Sequence, residues 1–164
     1  MNIPPEKKWA TVHATKEFIA INTCSGYFRS AIDPEGEMYL LATDASEELL
    51  GRSIVDALVA SRFLSLEEVS SFFDSSTKKK NYEDWVALLL DRYGYKSRTA
   101  LFKNMKYCYV YKINGVIMII PSSHDKLEEW GSKGIKSTDD EAVDENSSHF
   151  ELGAALKRCL EKCK

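Results

Sequence analysis

The residues best suited to covalent chemistry in this sequence are one cysteine and one histidine. Cys24 lies in a polar Asn-Thr-Cys-Ser-Gly run, which predicts an exposed thiol, and His124 is followed by Asp125. A nucleophilic thiol needs a nearby base and an orienting polar group. No local signature joins these residues, so a loop cysteine and a surface histidine are the simpler interpretation. We predict no catalytic residue, with an enzyme that uses Cys24 or His124 as the alternative.

Metal and phosphate sites have no recognisable ligand pattern in the chain. A zinc site needs closely spaced pairs of ligands, whereas His13, His124 and His149 are isolated along the sequence. Cys159 and Cys163 form one pair without a second. The glycines are scattered singly, so the sequence contains no phosphate-binding loop. We therefore predict no metal, no cofactor and no small-molecule substrate.

The composition is that of an ordinary soluble domain. The chain has 164 residues, of which 44% are hydrophobic and 29% charged, and this suits a single core. Residues 1–8 carry charges and prolines where a secretory leader needs an apolar run, and the apolar stretch 116–120 is too short to span a bilayer. The four cysteines are interpreted as reduced thiols, because a core of this size needs no disulfide. These features predict a cytoplasmic protein without a membrane partner.

A basic segment rich in tyrosine offers a nucleic-acid alternative. Residues 78–112 carry nine basic and three acidic side chains interleaved with aromatic rings, a mixture that can bind phosphates and stack on bases. The flanking segments are acidic, with a net charge of −8 over residues 31–75 and −5 over residues 125–147. These acids would repel phosphate over a Debye length of about 10 Å. We therefore predict no nucleic-acid partner and keep an RNA-binding module as an alternative.

Tyrosines recur at every second position of one segment. Tyr107, Tyr109 and Tyr111 alternate with Cys108 and Val110, so in a β-strand the three tyrosines share one face. Two interpretations remain open at this point. The tyrosines either cover a helix of the same domain or form a recognition surface, since tyrosine is enriched at protein interfaces.

Strands are predicted early and in the middle of the chain. Runs rich in aromatic and β-branched residues at 9–13 and 18–22 predict two strands, and an Asp-Pro-Glu-Gly turn predicts a second hairpin that ends at residues 38–41. The strongest local signal is the hairpin formed by residues 106–113 and 116–120. Its Asn-Gly turn favours type I′ geometry.

Helices are predicted where polar caps precede apolar residues at helical spacing. The cap pairs are Asp44 with Glu47, Ser65 with Glu68, Asn81 with Asp84, and Ser148 with Glu151. Gly94 is predicted to end the third of these helices. The remaining segments are a solvated linker at 78–80, one or two helical turns at 98–105, a helical turn at 127–130 and an acidic loop at 131–147.

The order of these elements predicts the fold class. Strands come first and in the middle, and helices are grouped between and after them, which favours a single α+β domain over residues 1–164 with an antiparallel sheet packed against several helices. A Leu-Gly pair with an aliphatic residue three positions after the glycine occurs at both Gly51 and Gly153. Two instances are too few to establish a repeat.

Three stretches of sequence resemble a known family. They are Tyr-Gly-Tyr-Lys-Ser-Arg-Thr-Ala-Leu-Phe-Lys-Asn-Met at 93–105, Pro-Ser-Ser-His-Asp-Lys-Leu-Glu-Glu-Trp at 121–130 and Leu-Gly-Ala-Ala-Leu at 152–156. Together they resemble one family of contact-dependent growth inhibition immunity proteins. The resemblance implies a non-enzymatic bacterial protein that binds and neutralises the C-terminal toxin domain of its cognate effector, which in related systems is a metal-dependent nuclease. It also implies that a toxin β-hairpin adds to the antiparallel sheet of the immunity protein.

The charge pattern is compatible with such a partner. Nucleases tend to carry basic grooves, and acidic segments on the immunity protein would speed their capture. On this reading we predict partner contacts at seven residues: Tyr82, Trp85, Tyr109, Tyr111, Asp139, Asp140 and Glu141.

Overall fold

The main sheet is antiparallel and has seven strands. The structure is a computed structural model that describes residues 2–164, so Met1, the first residue of the predicted domain, lies outside the described residues. The strands of the main sheet are β1 (Lys8–Ala14), β2 (Ile19–Gly26), β3 (Ser30–Ile32), β4 (Met38–Leu41), β5 (Lys106–Ile113), β6 (Val116–Pro121) and β9 (Glu141–Asp144). Their order is β3-β2-β1-β5-β6-β9, with β4 also pairing with β2. Strands β7 (Ser123–Lys126) and β8 (Glu129–Gly131) form a separate hairpin.

Five α-helices and one short 3₁₀ turn complete the fold. The helices are α1 (Glu47–Val59), α2 (Leu66–Phe72), α3 (Ser75–Tyr93), α4 (Arg98–Phe102) and α5 (His149–Lys162), and the 3₁₀ turn is Ser137–Asp139. The antiparallel sheet with several helices confirms the predicted α+β class. Among residues 2–164 we find no helix with the length and apolar character needed to cross a membrane.

Local turn and capping chemistry explains most element boundaries. Asn114 and Gly115 both adopt positive φ, 49° and 77°, which confirms the predicted tight hairpin between β5 and β6. The Ser65 hydroxyl and the Glu68 carboxylate form the predicted capping box at the start of α2. Gly94 ends α3 in the left-handed conformation, as predicted.

Six local predictions were wrong. The predicted second hairpin does not form, because β3 and β4 each pair with β2 and not with one another. Asn81 does not begin the third helix but lies inside it. Helix α1 is capped by Ser46 instead of Asp44, because the Ser46 hydroxyl accepts the Leu49 N–H. Residues 78–80 lie inside α3, which begins after its cap Asp74, since an exposed helical turn needs no apolar periodicity. The predicted helical turn at 127–130 belongs to the β7–β8 hairpin. The predicted loop at 131–147 contains the 3₁₀ turn and β9, whose pairing with β6 is a long-range interaction.

One face of the sheet packs against α1 and α5 to form the larger core. This closed face contributes Val12, Ile21 and Val110, all fully buried against apolar residues of the two helices. The two glycines of the Leu-Gly pairs lie where α1 and α5 cross. A Cβ on Gly51 would collide with the carbonyl of His149, and one on Gly153 would collide with the carbonyl of Glu47. The sequence echo therefore marks a backbone-to-backbone helix crossing.

The other face of the sheet is covered only in part. Helices α3 and α4 pack over Phe18 and Ala20 through Trp85, Leu89 and Phe102. His13 lies on this face between Trp85 and Tyr107, with ring centroids 4.8 and 5.0 Å away. Burial lowers the pKa of His13 to about 3, so the ring is neutral in the folded protein. We call this side of the sheet the open face, because the helices leave a groove beside it.

Candidate functional site

The groove lies between the β3–β4 turn and helices α2 and α3. It consists of two adjoining compartments of about 400 and 250 Å3 that share Ile32, Pro34, Asn81 and Trp85. Much of its lining is apolar and comes from Ala31, Ile32, Pro34, Leu64, Phe72 and Trp85. We call this feature the α3 groove. Its size and lining are typical of a site that receives side chains or a short segment of a ligand.

Two buried side chains of the α3 groove carry polar atoms without hydrogen-bond partners. Asn22 on β2 is 1% exposed, and neither its Nδ2 nor its Oδ1 has a partner. Trp85 on α3 is 7% exposed, and its Nε1 is also unpaired. Leaving a buried polar group unpaired costs about 1–3 kcal/mol. The lining of the α3 groove therefore contains side chains with two unpaired donor atoms and one unpaired acceptor atom.

A charged network fixes the β3–β4 turn at the rim of the groove. Arg62 donates two hydrogen bonds to Asp33, at 2.8 and 3.0 Å, and also contacts the Glu35 carboxylate at 2.9 Å. Burial alone would raise the pKa of Asp33, but hydrogen bonds from Arg62, Ser25 and the Glu35 N–H hold the pKa below its usual value. Asp33 therefore remains ionised and anchors the turn.

A second network lies at the other end of the groove, next to α4. The Tyr82 hydroxyl donates to Glu128 at 2.6 Å, and Arg98 donates to the same carboxylate at 2.6 and 3.2 Å. Arg98 also contacts Glu83 on α3. Burial, followed by the bond to Glu128, raises the pKa of Tyr82 well above its usual value, so the phenol stays protonated. The predicted contact residue Tyr82 is thus half-buried with its hydroxyl already engaged.

Tyr109 and Tyr111 lie further along the open face. Tyr109 is opposite Thr11, which in turn is opposite Asn22, so Tyr109 is two strands from the α3 groove. The rings of Tyr109 and Tyr111 are 5.7 Å apart and half-exposed, and the Lys7 ammonium lies 4.8 Å from the Tyr111 ring centroid. The two tyrosines share a face, as the alternation predicted, and helices α3 and α4 leave them accessible.

The predicted acidic contacts lie at the opposite edge of the sheet, on or beside β9. Glu141 accepts from Arg158 at 2.8 Å and from Lys162 at 2.7 Å, so two bases of α5 neutralise it. Burial and the neighbouring Asp139 raise the pKa of Asp140. Tyr82 and Trp85 are therefore brought together in the α3 groove, whereas Asp139, Asp140 and Glu141 form a separate group.

The two candidate catalytic residues lie on different strands of separate sheets. The prediction of an exposed Cys24 was wrong: the residue lies on β2, is 1% exposed, and burial raises the pKa of its thiol to about 12. His124 on β7 stacks against Trp130 at 4.8 Å, and its Nε2 lies 2.7 Å from the Leu127 carbonyl. Within residues 2–164 there is no group of three or more His, Cys, Asp or Glu side chains suited to hold a metal ion.

Asn22 is the residue of the groove that sequence reasoning missed. Its signal was present, because a carboxamide follows the apolar run Ile19-Ala20-Ile21 within one predicted strand. A polar residue at a buried strand position needs a partner or a function. Arg62 and Asp33 carried no comparable signal, since they come from separate loops that only the fold brings together.

Comparisons with known proteins cover the whole domain. The family model of CDI immunity proteins (CdiI) matches residues 8–163. The immunity protein CdiI-YPIII of Yersinia pseudotuberculosis serotype O:3 (strain YPIII) is 37% identical, covering 100% of this chain and 99% of that protein.

Two solved structures have the same fold. A chain of the CdiA-CT/CdiI toxin and immunity complex from Yersinia pseudotuberculosis superposes with a TM-score of 0.92 at 36% identity, covering 99% of this chain and 100% of that one. A protein of unknown function from Neisseria meningitidis gives a TM-score of 0.91 at 36% identity, with full coverage of both chains. The chain belongs to the family of CDI immunity proteins.

Proposed function

We propose that this protein binds and neutralises the C-terminal toxin domain of a contact-dependent growth inhibition effector. One observation carries the proposal: the fold matches, along its whole length and at 36% identity, a chain of a solved complex named as toxin and immunity protein. At that level of identity and coverage, relatives commonly keep the same kind of partner. The protein acts in the cytoplasm, where its four free cysteines are stable as thiols.

The protein acts by binding and without catalysis. This reading is supported by the state of the two candidate residues, since Cys24 is buried with a raised pKa and His124 is engaged with Leu127 and Trp130. A nucleophilic thiol needs the opposite environment, namely access to solvent and a lowered pKa.

The α3 groove is the proposed docking surface. It holds two of the predicted contact residues, Tyr82 and Trp85, and its lining includes Asn22 and Trp85, which carry unpaired polar atoms. A peptide group or a carboxamide side chain offers both acceptors and donors and would satisfy these atoms. Two exposed apolar side chains at the rim, Met38 and Leu88, each 39% exposed, would be covered in the same step.

The open edge of the sheet beside the groove suits strand addition. Strands β3 and β4 each pair only with β2 among the described residues, so their outer edges keep unpaired backbone groups. A toxin strand could add there by main-chain hydrogen bonds while its side chains enter the α3 groove. Tyr109 and Tyr111 would extend the contact across the open face.

Charge at the rim favours a basic partner. Acidic side chains outnumber basic ones around the groove: Asp33, Glu35, Glu37, Glu68 and Asp84 line its two compartments, together with Arg62 and Lys78. Asp139, Asp140 and Glu141 lie at the far edge of the sheet, and we propose that Asp139 and Asp140, rather than the paired Glu141, steer the approaching toxin at long range.

An RNA-binding role for residues 78–112 is less well supported. This segment is divided among α3, α4 and β5, so its bases come from three separate elements. Several are paired with acids: Lys80 with Asp84, Arg98 with Glu83 and Glu128, and Lys112 with Glu145. Such pairing reduces the positive charge available for phosphate.

The experiment is co-purification with the toxin domain encoded by the gene directly upstream. A tagged copy of this protein should retain that domain on a column through a wash with high salt, because apolar and main-chain contacts resist screening. Cells that express the toxin should survive only when the protein is also present. Failure to bind and to protect would contradict the proposed function.

A further inference from the structure

Three of the four cysteines meet where the last turn of α5 packs on β5. The Sγ of Cys108 lies 3.4 Å from the Sγ of Cys159 and 3.7 Å from the Sγ of Cys163. Cys108 and Cys159 are fully buried, and Cys163 is half-exposed. The fourth thiol, Cys24, lies elsewhere on β2 and is buried. The cluster therefore joins two enclosed thiols to one that reagents can reach.

Cys163 lies just beyond the last residue of α5. It has an extended backbone, with φ −63° and ψ 142°. Its N–H donates to the Leu160 carbonyl at 3.3 Å, and the next residue, Lys164, exchanges backbone hydrogen bonds with Ser122 and His124. The Cys163 side chain can therefore move toward Cys108 without breaking a helical hydrogen bond.

The surroundings of Cys163 favour its thiolate. The contact between the Cys108 and Cys163 sulfurs, together with the Ser122 backbone and the charge of Lys106, lowers the pKa of Cys163 to about 6 despite partial burial. The Tyr107 carbonyl, 3.4 Å from the Cys163 sulfur, is an acceptor that favours the thiol form and only moderates this effect. Contacts with Cys159 and Cys163 raise the pKa of Cys108, which therefore remains a thiol.

We propose that Cys163 and Cys108 form a peroxide-reactive oxidation site that closes to a disulfide bond. In the first step, the Cys163 sulfur attacks hydrogen peroxide, the O–O bond breaks, and hydroxide leaves. The sulfur is oxidised by two electrons to the sulfenic acid while the peroxide is reduced. In the second step, the Cys108 sulfur attacks the Cys163 sulfur, the S–S bond forms, and the S–O bond breaks. The hydroxyl group leaves with the Cys108 proton as water.

The geometry of the cluster indicates that Cys108 is the thiol that attacks the sulfenic acid of Cys163. The sulfurs of Cys108 and Cys163 are 3.7 Å apart, and an S–S bond is about 2.05 Å long. A small side-chain movement is therefore enough to bring them to bonding distance. Cys159 lies on the same helical stripe four residues before Cys163, and its sulfur contacts Cys108 from the enclosed side. The resulting bond would tie the end of α5 to a central strand of the main sheet. This inference is independent of the proposed toxin-binding function.

The test is oxidation of the full, reduced protein with hydrogen peroxide, followed by intact mass measurement and non-reducing peptide mapping. The wild-type protein should lose about 2 Da and yield a linked pair of peptides that contain Cys108 and Cys163. The variant C163S, altered at a half-exposed position, should keep its fold and its full mass. The variant C108A should stop at the sulfenic acid, which dimedone labels at Cys163.

Matched controls use the two remaining cysteines. The variants C24A and C159A should still form the linked peptides at the wild-type rate. The proposal is overturned if wild-type protein stays reduced at peroxide concentrations that oxidise free glutathione, or if the mass loss persists in C163S. A link between Cys108 and Cys159 instead of Cys163 would also overturn it.

Discussion

The two faces of the main sheet differ in how their buried side chains are packed and paired. The closed face packs apolar residues of β1, β2 and β5 against α1 and α5, and two glycines let these helices touch through their backbones. The open face instead keeps buried polar atoms of Asn22, Trp85 and His13 without partners beside a groove. The closed face therefore has the larger apolar core, and the open face has unpaired buried polar atoms, as we propose for a docking surface.

The largest expected effect comes from disrupting the closed face. A Gly153→Leu substitution would force α5 away from the Glu47 carbonyl and separate the two helices. We expect a loss of at least about 5 kcal/mol in the free energy of unfolding, enough to unfold a marginal domain. Urea denaturation would measure it, with the exposed Glu161→Leu on the same helix as the control. Equal stability of the two variants would contradict the described helix crossing.

The open face should make the protein sensitive to acid through His13. Its pKa is lowered to about 3 by burial, whereas the unfolded chain has a value near 6.5, so the unfolded state binds the proton first. The contribution of neutral His13 to the free energy of unfolding should thus be fully present above pH 6.5. It should fall by about 4 kcal/mol as the pH decreases to 3. In a His13→Phe variant this part of the slope should disappear. A slope identical to that of the wild type between pH 6.5 and 3 would contradict the burial of a neutral ring.

A smaller effect of opposite sign is expected at Asn22. Replacing this buried, unpaired amide with leucine removes polar atoms that have lost water without gaining partners. Asn22→Leu should therefore raise the free energy of unfolding by about 1–2 kcal/mol, measured by thermal denaturation. A marked loss of stability would show instead that the amide is paired in the free protein.

Local signals predicted the parts of the fold that depend on neighbouring residues. The Asn-Gly turn was sufficient for the β5–β6 hairpin, and the Ser65 cap for the start of α2. Strand β9 was missed because it exists only through pairing with β6, and its own sequence is acidic and short. Residues 78–80 were misassigned because an exposed helical turn lacks apolar periodicity.

Only part of the candidate site was predicted, because local signals identify residues that are close together in the sequence. Tyr82 and Trp85 were proposed from the sequence and do line the α3 groove, since they lie three residues apart on one helix. Asn22 and Arg62 reach the groove from other elements, and no local pattern connects them. The cysteine cluster likewise unites sulfurs 51 and 55 residues apart. Contact of the seven predicted residues with a partner stays a prediction.

The smallest effect is expected at the far edge of the sheet. Asp140→Asn removes one charge at a half-buried position beside β9 and leaves the α3 groove intact. The association rate with the toxin domain should fall by less than about threefold at low salt and be unchanged at high salt. A slower dissociation of the wild-type complex than of the Asp140→Asn complex would place the interface at this edge instead.

The most direct test of the account is the affinity of the upstream-encoded toxin domain for groove variants, measured by calorimetry. Asn22→Leu and Trp85→Phe each remove unpaired polar atoms of the α3 groove, and Arg52→Ala on the exposed side of α1 is the matched control. We predict at least about tenfold weaker binding for both groove variants, with unchanged or higher thermal stability for Asn22→Leu, and wild-type affinity for the control. Wild-type affinity in all three variants, with an intact wild-type complex, would contradict docking at the open face while leaving the immunity function in place.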